Sequence, residues 1–180
     1  APGTLERLLP GHDAVVQLIA VLHGDEARFE RLHAELPRRL AQACTATGVR
    51  RVVQVSALGV AIDAPSRYLR SKARGEVVLR EAGLDLTLLR PSVIFGAEDR
   101  FLNLFARLQA LLPLVPLAGA SARLQPVWVR DVAQAIIATL RDPASIGRTY
   151  ELAGPRVMSL AEIVRASGAW AGVAGGQGHP

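Results

Sequence analysis

Three short apolar runs separated by segments of helical period constrain this chain more than anything else in it. Asp13–Leu22 (DAVVQLIAVL), Arg51–Ala57 (RVVQVSA) and Asp85–Phe95 (DLTLLRPSVIF) are rich in β-branched residues. The first is nearly continuous in apolar side chains, as in a parallel strand covered on both faces. Between the first two lies Arg28–Thr47, whose Phe29, Leu32, Leu36, Leu40 and Ala43 recur at a helix period, with Gly48 placed to close it. Between the second and third, a helix is expected from Ser66 to Ala82, ended by Gly83. Helix-length crossovers between buried strands imply parallel pairing with right-handed connections. The fold class expected is therefore α/β, a Rossmann-like doubly wound parallel sheet.

The pattern continues less regularly. Pro91 breaks the third strand after Arg90, Phe101–Leu112 reads as an amphipathic helix, and Leu124–Val129 as a short strand. Val132–Leu140 reads as a helix capped by Asp131 and Thr149–Leu152 as a last strand. Ser159 and Glu162 form a capping box before a final helical turn. The Gly- and Ala-rich tail, Ser167–Pro180, has no period and is expected to be disordered.

Composition excludes several function classes. The formal charge is +5, but the cations are scattered arginines and a single lysine, Lys72, so no basic stripe for nucleic acid is expected. Cys44 is the sole cysteine, and among His12, His23, His33 and His179 no pair is spaced i, i+4, so no metal site is expected. The longest uncharged run contains Pro113 and Pro116 and is too short to span a bilayer. A cytoplasmic protein, peripheral to a membrane at most, is the expectation.

The segment that carries chemistry is Tyr68-Leu-Arg-Ser-Lys72. Tyr and Lys four positions apart share one helix face, and an ammonium beside a phenol favours the phenolate. That pairing makes the tyrosine a proton donor and acceptor for catalysis near neutral pH. With two tyrosines and one lysine in the chain, chance gives this spacing about once in a hundred. Arginine, always charged and larger, cannot take the lysine's place. Ser56 ends the second strand, at the sheet edge where ligands of open α/β folds bind, and its hydroxyl can polarise a carbonyl oxygen. Pro91, by interrupting the ladder, frees backbone groups for a ligand amide; an ordinary strand exit reads the same way. The glycines of GVAGGQG (Gly172 to Gly178) do not lie between a strand and a helix and are not read as a phosphate loop.

Together these pieces resemble the short-chain dehydrogenase/reductase superfamily, in its extended or atypical branch. DAVVQLIA looks like the family's fourth strand, VVQVSALG like the fifth with its catalytic serine, and YLRSK matches Y-x-x-x-K. LRPSVIFG and RLQPVWVRDVAQAI are similar to the family's later segments. The combination S-A-L-G, Y-x-R-S-K-A-x-G-E and R-P-S-V-I-F-G-x-E-D-R-F is similar to bacterial relatives of the nucleotide-binding accessory subunit of respiratory complex I.

The resemblance implies NAD or NADP as cofactor and a small-molecule carbonyl or alcohol as substrate. It makes Tyr68 the acid/base. Lys72 lowers the Tyr68 pKa and holds the nicotinamide ribose, and Ser56 orients the substrate. Leu18, Ile19 and Ala20 would line the adenine side, with Val55 beside them, and Pro91, Ser92 and Val93 the carboxamide. It implies equally a non-catalytic NADP(H)-binding subunit of a membrane-associated complex, docking through the 101–112 helix and the 111–120 stretch, or a nucleotide-sugar epimerase or dehydratase. The family's glycine-rich loop and first three strands have no counterpart ahead of Asp13. Residues 1–166 are accordingly expected to be the C-terminal part of one NAD(P)-binding domain truncated at its N-terminus. Gln17 stands where the family often has His or Asn, and only one serine, Ser56, follows the strand.

Overall fold

The structure, a computed structural model, describes residues 3–96 and 121–170. The expected helix at 101–112 and the 111–120 stretch lie outside the described residues. The chain divides into two compact units, one formed by Ala1–Pro91 with Ala133–Leu152 and the other by Ser92–Val132 with Ala153–Pro180.

The first unit is built on a four-stranded parallel sheet. Its strands are β1 (Ala14–Gln17), β2 (Arg51–Val55), β3 (Asp85–Pro91) and β7 (Thr149–Leu152), in that spatial order. Val16 pairs with Val53, Val53 with Thr87 and Leu89 with Tyr150, so the ladder runs in register across the sheet. The short helix α1 (Thr4–Leu8) precedes β1. Helix α2 (Glu26–Glu30), a π-helical turn (Arg31–Glu35) and helix α3 (Leu36–Thr47) then follow one another directly and cross from β1 to β2. Gly48, with φ of 76°, ends α3 in the left-handed conformation that a residue without Cβ adopts at no cost. Helix α4 (Arg67–Glu81) crosses from β2 to β3.

The core lies between α3, α4 and the sheet, where Leu40, Cys44, Val49, Val52, Leu79, Leu86 and Leu88 are buried together. Val52 and Val53, adjacent in β2 and so pointing to opposite faces of the sheet, are both fully buried, as in a strand covered on both sides. At its amino end the Arg51 guanidinium donates to the Asp85 and Thr139 carbonyls and to the Thr87 and Ser145 hydroxyls. Arg90 of β3 makes a bidentate pair with the buried Glu76 of α4, at 3.1 and 2.6 Å.

In the second unit β4 (Ile94–Phe95) pairs in parallel with β6 (Val127–Trp128), and β5 (Arg123–Leu124) pairs antiparallel with β8 (Met158–Ser159). Helix α5 spans Val129–Arg141, its residues up to Val132 in this unit and those from Ala133 in the first, and helix α6 spans Leu160–Trp170. The Ser159–Glu162 capping box forms: the Glu162 carboxylate accepts from the Ser159 N–H and the Ser159 hydroxyl accepts from the Glu162 N–H.

Several elements differ from the sequence expectations. The first strand stops at Gln17, and Leu18, Ile19 and Leu22 are exposed to solvent. The expected 124–129 strand is two dipeptides in two different ladders. Asp131 lies in the first turn of α5 and does not cap it, because that helix begins at Val129. The capping box opens eleven helical residues where a single turn was expected.

Candidate functional site

Parallel pairing in register places the ends of β1, β2 and β3 at one edge of the sheet, and chain exits there carry most of the sequence-selected residues. Gln17 is buried at the end of β1, and its Oε1 accepts from the Ile19 N–H, which turns the Leu18–Ala20 stretch outward. Leu18 and Ile19 are 60% and 51% exposed, an apolar surface at a strand exit rather than in a core.

At the end of β2 the Val55 carbonyl accepts two hydrogen bonds, one from Gln54 Nε2 at 2.9 Å and one from Lys72 Nζ at 3.0 Å. The next residue, Ser56, donates its backbone N–H to the Leu89 carbonyl at 2.7 Å. Its side chain is buried and its Oγ has no hydrogen-bond partner among the described residues. A buried hydroxyl without a partner loses its hydration for nothing unless a ligand supplies the missing bond.

Helix α4 brings Tyr68 and Lys72 to this edge. Its N-terminal residues follow the loop from β2, and the bond from Lys72 to Val55 ties its second turn to the strand end. Lys72 is 4% exposed, and burial lowers its pKa to about 8, an effect the Glu76 carboxylate partly offsets. Tyr68 is half-buried, and burial pushes its phenol above the ordinary value. That direction is opposite to the one expected from an ammonium one turn away, and its cause is burial of the phenol. The Tyr68 ring packs edge-on against His33 at 5.5 Å and Phe29 at 6.5 Å, and among the described residues its hydroxyl has no partner.

Leu18, Ile19, Ala20, Val55, Ser56, Tyr68, Lys72 and Pro91 thus all belong to the first unit. Ser92 and Val93 belong to the second, where the Val93 carbonyl accepts from Val127 N–H at 2.9 Å. That unit also holds an apolar cavity of about 440 Å³, lined by Phe95, Trp128, Met158 and Ile163 with Asp131 and Arg156 as its charged groups. Phe95, Trp128 and Asp131 lie in the LRPSVIFG and RLQPVWVRDVAQAI segments that the sequence singled out, whereas no sequence signal marked Arg156, Met158 or Ile163 as lining a cavity. Nor did any sequence signal mark His33, which is 2% exposed beneath Tyr68. The residues at the strand exits fit a dinucleotide: a partnerless buried hydroxyl, an ammonium, a phenol and apolar side chains facing solvent.

A parallel sheet with helical crossovers and this set of groups at its carboxyl edge defines a dinucleotide-binding protein of the Rossmann type. The chain belongs to the NAD(P)H-binding family, whose model matches residues 1–143. Its cofactor class is therefore NAD(P), and its place is in the short-chain dehydrogenase/reductase superfamily. It is 40% identical over 139 residues to mouse (Mus musculus) NADH dehydrogenase (ubiquinone) 1 alpha subcomplex subunit 9, a mitochondrial protein; the match covers 76% of this chain and 37% of that one. It is 30% identical over 144 residues to a ceramide reductase of Caulobacter vibrioides, covering 79% of this chain and 45% of the other. Among solved structures it is similar to dTDP-glucose 4,6-dehydratase from Streptomyces venezuelae with NAD and TYD bound. There the identity is 26%, the TM-score is 0.78, and 92% of this chain and 59% of that chain are covered. The chain therefore spans less than half the length of either curated relative. No helix among the described residues is long and apolar enough to cross a membrane.

Proposed function

We propose that this chain is the catalytic-residue-bearing part of an NAD(P)-dependent oxidoreductase that acts on a carbonyl or alcohol substrate. The observation that carries the reading is the buried, partnerless Ser56 hydroxyl at the same strand exit to which Lys72 is anchored. When bound, the nicotinamide supplies or accepts the hydride. Ser56 Oγ donates to the substrate oxygen and so acquires the bond it lacks. A phenol held above its ordinary pKa is protonated at neutral pH, so Tyr68 donates a proton to the oxygen of a carbonyl being reduced. Lys72, with a pKa of about 8, is mostly cationic at pH 7 and stabilises the phenolate as it forms. Leu18, Ile19, Ala20 and Val55 give apolar surface to the dinucleotide, and Pro91, at the end of β3, lies toward its carboxamide.

A second reading is favoured by the mouse relative, which is a subunit of NADH dehydrogenase. In it the same groups hold NADP(H) without turnover, and the domain stabilises a complex peripheral to a membrane. Tyr68→Phe in the full-length protein separates the two. The enzyme reading expects carbonyl reduction to fall by at least about a hundredfold, the usual worth of a general acid, with dinucleotide affinity unchanged. Copurifying NADP(H) in a protein that reduces no carbonyl, wild type or variant, sinks the enzyme reading and leaves the subunit.

A further inference from the structure

His33, 2% exposed, is a buried titratable group that the proposed chemistry does not use, and its hydrogen bonds fix the protons around it. Its Nε2 lies 3.1 Å from the Val21 backbone nitrogen, twelve positions away, which has only a proton to offer. Nε2 is therefore the unprotonated nitrogen. On the other side Nδ1 lies 2.8 Å from Ser71 Oγ, and that hydroxyl donates to the Tyr68 carbonyl at 2.7 Å. With its own proton committed to Tyr68, Ser71 Oγ accepts, so Nδ1 carries the hydrogen. The chain of bonds runs Tyr68 C=O, Ser71 O–H, His33 Nδ1–H, His33 Nε2, Val21 N–H.

The local fold is shaped to put the ring there. The π-helical turn Arg31–Glu35 interrupts the helix at this point, as such turns do at functional sites. Gly75 of α4 lets the backbones approach: a Cβ there would stand 1.9 Å from the His33 carbonyl oxygen. Phe29 stacks on the imidazole at 5.5 Å, and Tyr68 meets it edge-on. Burial first, then Lys72 and Arg74, hold its pKa down to about 4, so the ring is neutral at pH 7.

We propose that His33, fixed as its Nδ1–H tautomer, is a positioning residue that ties the Leu18–Val21 stretch to the first turn of α4, so that the dinucleotide-facing loop and the Tyr68 phenol move as one body. The proposal rests on the reading of Tyr68 and Leu18–Ala20 given above, but its bonds are testable without cofactor. Ring nitrogen-15 spectra of the full chain, with His33 assigned by its loss in His33→Asn, are expected to show Nδ1 protonated and Nε2 bare at pH 7. Ser71→Ala, which leaves both His33 and Val21 in place, is expected to speed Val21 amide exchange about tenfold relative to the core strands. It is also expected to move the titration midpoint of the Tyr68 phenol. Ser145→Ala deletes an equally buried hydroxyl far from this relay and is expected to do neither. An Nε2–H tautomer in the wild type, Val21 exchange unchanged in Ser71→Ala, or the same changes in Ser145→Ala would overturn the proposal. The tautomer is read on the wild type, so a variant that fails to fold does not remove the test. Retained turnover in Tyr68→Phe would refute the catalytic reading and leave all these measurements standing.

Discussion

At the scale of single residues, the site holds charge where the fold would rather not. Lys72 is 4% exposed with a pKa of about 8 against an ordinary 10.5. The unfolded chain binds that proton more tightly, so the ammonium costs stability below pH 8, and the cost fades as pH rises toward 10.5. Lys72→Met keeps the side-chain length and removes the charge, while Gln54 still donates to the Val55 carbonyl. It is expected to stabilise the fold by on the order of 3 kcal/mol at pH 7, the free-energy equivalent of the shift, with the gain shrinking toward pH 10.5. Denaturant midpoints of the two proteins across that range check it; a destabilised variant would mean the ammonium is a net support. His33 acts at the other end of the scale. The unfolded ring takes its proton near 6.5 and the folded one near 4, so its contribution is whole above 6.5 and lost progressively as pH falls toward 4. The loss reaches on the order of 3 kcal/mol. His33→Asn should flatten that acid limb, and an unchanged slope in its stability between those values would refute the assignment. That Tyr68 and Lys72 share one helix was legible in the sequence because the relation is local, one turn apart. His33 was not, since its partners are 12 and 38 positions away and no local pattern announces them.

At the scale of elements, periodicity located strands and helices well and their ends badly. Thr149–Leu152 and the Gly48 and Gly83 stops were readable because backbone geometry ties those residues to those places. The first strand was overextended to Leu22 because an apolar run looks the same whether it pairs in a ladder or faces outward at the strand exit. Only the exposure of Leu18, Ile19 and Leu22 distinguishes the two. The π-helical turn was invisible for a related reason: it changes the hydrogen-bond register without changing composition. Its consequence is the close crossing of α4, which Gly75 permits. In an ordinary helix interior Gly→Ala stabilises by roughly 0.5–1 kcal/mol. Here the added methyl meets a backbone oxygen at 1.9 Å, which no rotamer change relieves, so the helices must separate. Gly75→Ala is therefore expected to lose about 3 kcal/mol, overpacking outweighing propensity. A neutral or stabilising result in urea unfolding would show that the two helices are not so close.

At the scale of the whole molecule, the parallel order β1-β2-β3-β7 is what alternating strand and helix patterns dictate, and it places the candidate groups of the first unit at one edge. What a dinucleotide needs beyond that edge is a cradle for its two phosphates, normally backbone N–H groups where a glycine-rich turn joins a strand to a helix. Among the described residues, the exits of β1, β2 and β3 do not have that form. β1 leaves through LIAVLHGD, β2 through SALG and β3 through SVIFG, while the glycines at 172–178 follow a helix rather than a strand. Apolar surface at Leu18 and Ile19 and one hydroxyl at Ser56 can orient the two ends of the cofactor, but its anionic centre would stay in water. Charge-assisted hydrogen bonds to phosphate are among the strongest contacts such a ligand makes. These 180 residues alone are thus expected to give no saturable change in NADPH fluorescence at micromolar concentrations, although the family to which they belong binds NAD(P)H. Saturable micromolar binding by this chain, abolished by a substitution away from the strand exits and unaffected by Lys72→Met, would move the cofactor to another face of the molecule. The roles assigned to Ser56, Tyr68 and Lys72 would go with it.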